Sequence, residues 1–81
     1  MDEYRPGAAP GLTERGRVVK WTDRRYGFIQ PTQGGADVFF HVADVVDGTL
    51  DFSCGERVEY MRVSDPRGSG QKAVGVRRLG R

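Results

Sequence analysis

Aromatic rings and the single histidine alternate with other residues in two short segments of this 81-residue chain. Tyr26 and Phe28 stand two positions apart in the first segment, and Phe39 and His41 stand two apart in the second. Residues two apart share one face of an extended strand, so each segment places two flat rings on one side. Flat rings accept nucleobases by stacking, which contributes about 1–3 kcal/mol per base. Stacking on flat ligands is therefore the chemistry that these residue types can perform.

The other faces of the same two segments carry aliphatic side chains and one further aromatic ring. Ile29 lies on one, and Val38, Phe40 and Val42 lie on the other, which makes them natural core residues. A hairpin through 31–36 would lay the two ring-bearing faces side by side. Contiguous exposed apolar patches generally mark binding sites. The alternative is a sandwich with both faces buried, in which the rings are simply core.

Cations and a tryptophan stand next to these rings. Trp21 ends the preceding apolar run with Lys20 beside it, and we expect Trp21 to join the rings if the first strand pairs with the second. Gly27 lets the sheet twist or lets a partner approach the backbone closely. We predict that the rings stack on bases and that the cations contact phosphates. The predicted binding residues are Lys20, Trp21, Arg25, Tyr26, Phe28, Phe39 and His41.

Charge is strongly segregated along the chain, although the net charge is only +2. Residues 13–30 carry five basic side chains against two acidic ones, and residues 67–81 carry five basic side chains and no acidic one. Between them, residues 37–65 carry seven acidic side chains against two arginines. If the fold joins the two basic segments, they form a face able to hold a polyanion.

The cysteine and histidine content of the sequence argues against disulfide, metal and catalytic chemistry. One cysteine, Cys54, excludes an intrachain disulfide and suits a reducing compartment, so we expect a cytoplasmic protein. One cysteine and one histidine cannot complete a four-ligand zinc site. Cys54 and His41 could act as nucleophile and base, but thirteen positions separate them and no orienting group is evident. We expect no enzymatic activity, no metal and no cofactor, and the short apolar runs predict no membrane span.

The elements that must position these residues are five short strands. From Gly16 onward, apolar runs with a period of two alternate with turn signals, and no helical stripe is evident. The runs are Arg17–Trp21, Tyr26–Gln30, Asp37–Val42, Glu56–Val63 and Ala73–Leu79. This pattern predicts an all-β fold, a small closed five-stranded antiparallel barrel that leaves few edges exposed. Residues 1–14 are predicted to be a flexible arm, and residues 15–81 the folded domain.

Three motifs in this order resemble the cold-shock domain, from Gly16 to about Leu79. Val19-Lys20-Trp21 resembles the opening Val-Lys-Trp of that family. Tyr26-Gly27-Phe28-Ile29 is similar to its first ribonucleoprotein motif, Lys-Gly-Phe-Gly-Phe-Ile, and Asp37-Val38-Phe39-Phe40-His41 to its second, Asp-Val-Phe-Val-His. The resemblance implies a barrel of the oligonucleotide-binding (OB) type that binds single-stranded RNA or DNA. It also implies a role as an RNA chaperone or a transcription or translation regulator.

The sequence departs from the family at several points. The first loop, Thr22 to Arg25, is shorter than usual in the family. Lys20 and Trp21 can therefore be aligned with the family pattern in two ways that differ by one residue. Alignment on Gly16 would place Trp21 at the second aromatic position of the family instead of at its tryptophan. Val42 stands where many members have phenylalanine, which predicts a shorter or weaker binding track.

Protein binding is an alternative function for the same surface. The aromatic patch could bind a protein partner, with the acidic stretch 44–59 as a second contact surface. We therefore expect single-stranded RNA or DNA as the ligand of a monomer, with protein–protein interaction as the alternative. Stacking does not discriminate RNA from DNA, because it ignores the 2′-hydroxyl.

Overall fold

Five strands and one short helical turn make up the described part of the chain. The computed structural model describes residues 13–65 and 70–79. The strands are β1 (Glu14–Trp21), β2 (Tyr26–Pro31), β3 (Val38–His41), β4 (Arg57–Ser64) and β5 (Gln71–Arg78), and a 3₁₀ turn η1 (Val42–Asp44) follows β3. The predicted all-β class is confirmed, and the turn was not predicted. None of the helical segments within these ranges could cross a membrane.

The strands close into a barrel in the order β1-β2-β3-β5-β4. Strand β1 pairs with both β2 and β4, which closes the sheet on itself. All neighbouring strands are antiparallel except β3 and β5, which run parallel and pair at Phe39 and Lys72. In a closed ring of five strands, four antiparallel junctions leave the fifth one parallel. It falls between β3 and β5 because β4 lies between β1 and β5 and not beside β3.

The core of the barrel is small and entirely apolar apart from one phenol. The side chains that point inward are Val18, Ile29, Val38, Phe40, Phe52, Val58, Tyr60, Ala73 and Val76. Most of them alternate with exposed or half-buried residues along their strands, as the period of two requires. Phe52 comes instead from the connection between β3 and β4 and covers one end of the barrel.

The start of β1 corrects the predicted domain boundary. Residues 1–12 of the predicted arm lie outside the described residues, but Glu14 is the first residue of β1 and pairs with Tyr60 of β4. The carboxylate of Glu14 accepts hydrogen bonds from Tyr60 Oη at 3.1 Å and from Arg62 Nη2 at 2.6 Å. Glu14 therefore belongs to the folded domain, where it ties β1 to β4.

This cluster shifts the pKa of each of its members. Hydrogen bonds from the Arg62 guanidinium hold the pKa of Glu14 below its usual value of 4.5, although partial burial opposes the shift. Burial, together with the Glu14 charge, raises the pKa of Tyr60 to about 12. A carboxyl whose pKa is lowered by folding stabilises the protein above its unfolded pKa, and the stabilisation is lost as the pH falls through the folded value.

We therefore predict that acid weakens the closure of the barrel through Glu14. Urea titrations of the wild type should show the free energy of unfolding falling as the pH is lowered through about 4.5 and below. Glu14→Gln should cost about 1 kcal/mol at pH 7 and flatten this acid-side dependence. Asp51→Asn, at an exposed position, is the control and should leave the slope unchanged. Equal slopes for Glu14→Gln and the wild type would contradict the prediction.

Candidate functional site

The hairpin of β2 and β3 brings the two ring-bearing segments together. Tyr26 pairs with His41, and Phe28 pairs with Phe39. Directly paired residues of antiparallel strands project to the same side of the sheet, so these four side chains form one outward surface, which we call the aromatic face. All four are half-buried, whereas Ile29 and Phe40 between them are fully buried. The interpretation of these rings as core is therefore wrong.

The three carbocyclic rings of the aromatic face contact one another edge to face or tilted. Tyr26 and Phe39 have ring centroids 5.7 Å apart, and Phe28 and Phe39 have centroids 5.8 Å apart with an interplanar angle of 69°. Tyr26 and Phe28 are nearly perpendicular at 6.4 Å. Offset and edge contacts are favoured by the ring quadrupoles. Mutual packing therefore holds the rings in place and still leaves part of each one accessible.

The imidazole of His41 is oriented by the turn that follows β3. Its Nδ1 accepts a hydrogen bond from the backbone N–H of Ala43 at 3.0 Å, which caps η1. Because Nδ1 is an acceptor, Nε2 carries the proton of the neutral ring. His41 therefore adds a flat ring and one N–H donor to the aromatic face.

A β-bulge in β1 decides which side chains join this surface. The register with β2 shifts between Val18 and Lys20, so that Val18 points inward and Lys20 pairs with Phe28. Val19 in the bulge is left 44% exposed. Lys20 is exposed and lies on the side of the aromatic face.

The prediction that Trp21 joins the aromatic rings is wrong. Trp21 pairs with Gly27, which pairs in turn with the buried Phe40, and this row faces inward. The indole stacks on Phe40 at 5.4 Å and meets Phe52 edge-on at 5.1 Å. Its Nε1 is buried with no partner among the described residues. Trp21 thus packs against the core.

Gly27 is required by this arrangement within the protein itself. A Cβ added there would lie 2.2 Å from the carbonyl oxygen of Lys20 and 2.9 Å from Cε3 of Trp21. The close approach considered from the sequence is therefore made by Trp21 of the same chain. Any larger residue would force β1 and the indole to move.

Arg25 holds an unusual backbone conformation at the edge of the aromatic face. Its φ is 69°, in the left-handed region that favours glycine. The carbonyl of Arg25 accepts a hydrogen bond from the N–H of Val42 at 2.8 Å, and its Nη1 donates to the carbonyl of Leu50 at 3.3 Å. Arg25 therefore links the β1–β2 loop to the connection after β3, and it is an exposed residue directly before Tyr26 in the sequence.

Two residues that the sequence did not single out lie against the aromatic face. A cleft of about 430 Å³ extends from Phe28 and Phe39 to Arg62 of β4 and Gln71 of β5. Arg62 Nη1 donates to Gln71 Oε1 at 3.3 Å. Only the parallel junction of β3 with β5 brings Gln71 here. In the sequence, only the amphipathic alternation of β4 and β5 pointed to Arg62 and Gln71. Alternation within a strand does not show which other strands lie beside it, so it could not place these two residues next to the aromatic face.

Cys54 and His41 show no catalytic arrangement. Cys54 is exposed, and its thiol donates to the carbonyl of Val19 at 3.5 Å, while His41 Nδ1 is engaged by Ala43. Within 13–65 and 70–79, no group of three histidine, cysteine or acidic side chains could hold a metal ion. The chemistry supported by this site is therefore stacking and polar contact.

The left-handed backbone at Arg25 leads to a stability prediction. Arg25→Gly and Arg25→Ala both remove the guanidinium, but only glycine adopts a positive φ without steric cost. We expect the glycine variant to be more stable than the alanine variant by about 1 kcal/mol in chemical denaturation. Thr32→Gly and Thr32→Ala are the matched pair, because Thr32 is exposed just after β2 and its own φ is not positive. An alanine variant as stable as the glycine variant would contradict the prediction.

A family match and two relatives all associate this chain with cold-shock proteins. The family described as 'Cold-shock' DNA-binding domain matches residues 15–79. The chain is 40% identical over 62 residues to a cold shock-like protein of Aquifex aeolicus, an alignment that covers 73% of this chain and 89% of the relative. It is 35% identical over 54 residues to the cold shock-like protein CspA of Bordetella pertussis, covering 63% of this chain and 81% of the relative.

A solved structure shares the fold at low sequence identity. The structure titled drosophila Unr CSD456 superposes with a TM-score of 0.72 at 19% identity. The match covers 89% of this chain but 29% of the Unr chain, so this barrel corresponds to a fraction of that larger protein. At this identity the match supports the OB-type barrel alone.

Proposed function

Because the chain belongs to the cold-shock domain family, which generally binds nucleic acid, we propose that it holds single-stranded RNA or DNA on the aromatic face. The observation that carries the proposal is the pairing of Tyr26 with His41 and of Phe28 with Phe39. It leaves four flat rings on the outside of a barrel whose core is complete without them. Rings in this position keep part of their surface accessible, where bases can stack on them.

The size of the aromatic face sets the expected affinity. Four rings at about 1–3 kcal/mol per stacked base give roughly 4–12 kcal/mol of gross stabilisation. Ordering a flexible strand takes back several kcal/mol. A net free energy near −8 kcal/mol corresponds to a micromolar dissociation constant, and this is the affinity that we expect.

Basic side chains complete the proposed site. Lys20 lies on the side of the aromatic face and Arg25 lies at its edge, and both are exposed. In this proposal they contact phosphates, while Trp21 acts by packing β1 against the core. Binding of unpaired bases without covalent chemistry fits a monomeric cytoplasmic RNA chaperone or a regulator of transcription or translation.

Phe28→Ala tests the stacking proposal. We predict that it weakens binding of a fluorescent single-stranded oligonucleotide by about tenfold or more, since one platform is lost. The circular dichroism spectrum should be unchanged because the ring lies outside the core. Val46→Ala is the matched control, since it removes an apolar side chain that is 58% exposed in the connection after β3.

Two results would overturn this prediction. Unfolding of Phe28→Ala would show that the ring is needed for the core. Unchanged oligonucleotide affinity with an intact fold would remove stacking from the mechanism and favour the protein-interaction alternative.

Lys20→Gln tests the phosphate contact. For single strands, each neutralised phosphate contributes about 0.7 to the slope of log affinity against log salt. We predict that the variant has a slope shallower by about this amount and unchanged stability. Thr22→Ser, which keeps a hydroxyl in the adjacent loop, is the control and should keep the wild-type slope. A wild-type slope in Lys20→Gln would place Lys20 outside the interface.

A further inference from the structure

A second surface lies on the barrel next to the aromatic face. It is a groove of about 730 Å³ that runs over β1 between β2 and β4. We call it the arginine groove, and its lining residues that matter here are Arg15, Arg17, Val19 and Arg57. Gly16 and Val18 point inward, so these intervening β1 side chains point outward.

Two of its arginines stand directly opposite each other. Arg17 of β1 pairs with Arg57 of β4, so both side chains project from the same side of the sheet. Like charges in this position destabilise a strand pair. Neither guanidinium forms an ion pair with any acidic side chain of the described residues, and Arg15 meets Glu59 only at 3.9 Å. Folding does not explain this pair, whereas an anion between the two side chains would.

The arginine groove is continuous with the aromatic face. Arg17 precedes Lys20 by three positions on β1, which is about 10 Å along a strand. On the other side Arg17 pairs with Gln30, which follows Phe28 by two positions on the same face of β2. A ligand that leaves the aromatic face past Lys20 therefore reaches Arg17 without crossing an intervening strand.

We propose that the arginine groove binds phosphodiester groups of the same nucleic-acid strand, beyond the bases stacked on the aromatic face. This inference rests on the proposed function. Arginine matches the geometry, since its planar fork donates two parallel hydrogen bonds to phosphate oxygens. The groove contains no aromatic side chain, so it takes the backbone of the strand and not its bases. The bound strand is thus longer than the four rings require.

The test compares a short and a long oligothymidylate, of about 6 and about 12 nucleotides, within the range of site sizes of OB folds. The wild type should bind the long probe at least about tenfold more tightly. The double variant Arg17→Gln/Arg57→Gln should keep the short-probe affinity within about twofold and lose at least about fivefold for the long probe. Its salt slope with the long probe should fall by about 0.7–1.4, for one or two phosphates.

Arg77→Gln/Arg78→Gln is the matched control. It removes two positive charges from β5, where Arg78 is ion-paired with Glu56 at 3.5 Å. Because β4 separates β5 from β1, the control should leave the long-probe affinity near that of the wild type. The melting temperature of Arg17→Gln/Arg57→Gln should equal or exceed that of the wild type, because a like-charge contact is removed.

The outcomes separate the two proposals. Three results would overturn the arginine groove and keep the proposed function, provided that the wild type still binds the short probe. The first is that Arg17→Gln/Arg57→Gln loses as much affinity for the short probe as for the long one. The others are that Arg77→Gln/Arg78→Gln loses as much affinity for the long probe, or that the wild type binds the long probe no more tightly than the short one. If the wild type binds neither probe, the proposed function fails, and the inference fails with it.

Discussion

The structure depends on one constraint, which is that a barrel this small has a single interior. Pairing of β1 with β4 closes the sheet, and nine buried side chains of the described residues, all apolar apart from the phenol of Tyr60, fill the space that results. Strand alternation then leaves every second residue outside. The rings of Tyr26, Phe28 and Phe39 consequently stay on the outer side of β2 and β3, where they contact one another. The candidate site is thus a direct consequence of closure.

The bulge in β1 adjusts this simple alternation. The extra residue at Val19 shifts the alternation of side chains in the rest of β1. As a result, Lys20 points outward and Trp21 points inward. The indole then extends the core toward Phe52 and is accommodated only because position 27 has no side chain. Bulges commonly re-aim a side chain next to a functional surface. In this barrel the bulge places a cation, and not a ring, beside Phe28.

The charges on β1 serve two different purposes. At its start, Glu14 is neutralised by Arg62 and joins two strands across the closure. A few residues later, Arg17 faces Arg57 with no acidic partner among the residues described. The first arrangement stabilises the fold, and the second slightly opposes it. Unpaired cations and exposed rings lie on adjoining surfaces, which fits one extended polyanion that carries flat groups.

The sequence by itself determined the features that depend on local geometry. Period-two alternation and a short turn were enough to predict five strands, a barrel and the shared face of Tyr26, Phe28, Phe39 and His41. The tertiary structure decided the facing of Trp21, because a bulge changes register by one residue and no residue type in this segment announces it. It also decided that Gln71 lies near Phe39 and that Arg57 lies opposite Arg17. Those contacts join strands that are distant in the sequence, and their register is set by closure of the whole barrel, which alternation within one strand does not encode.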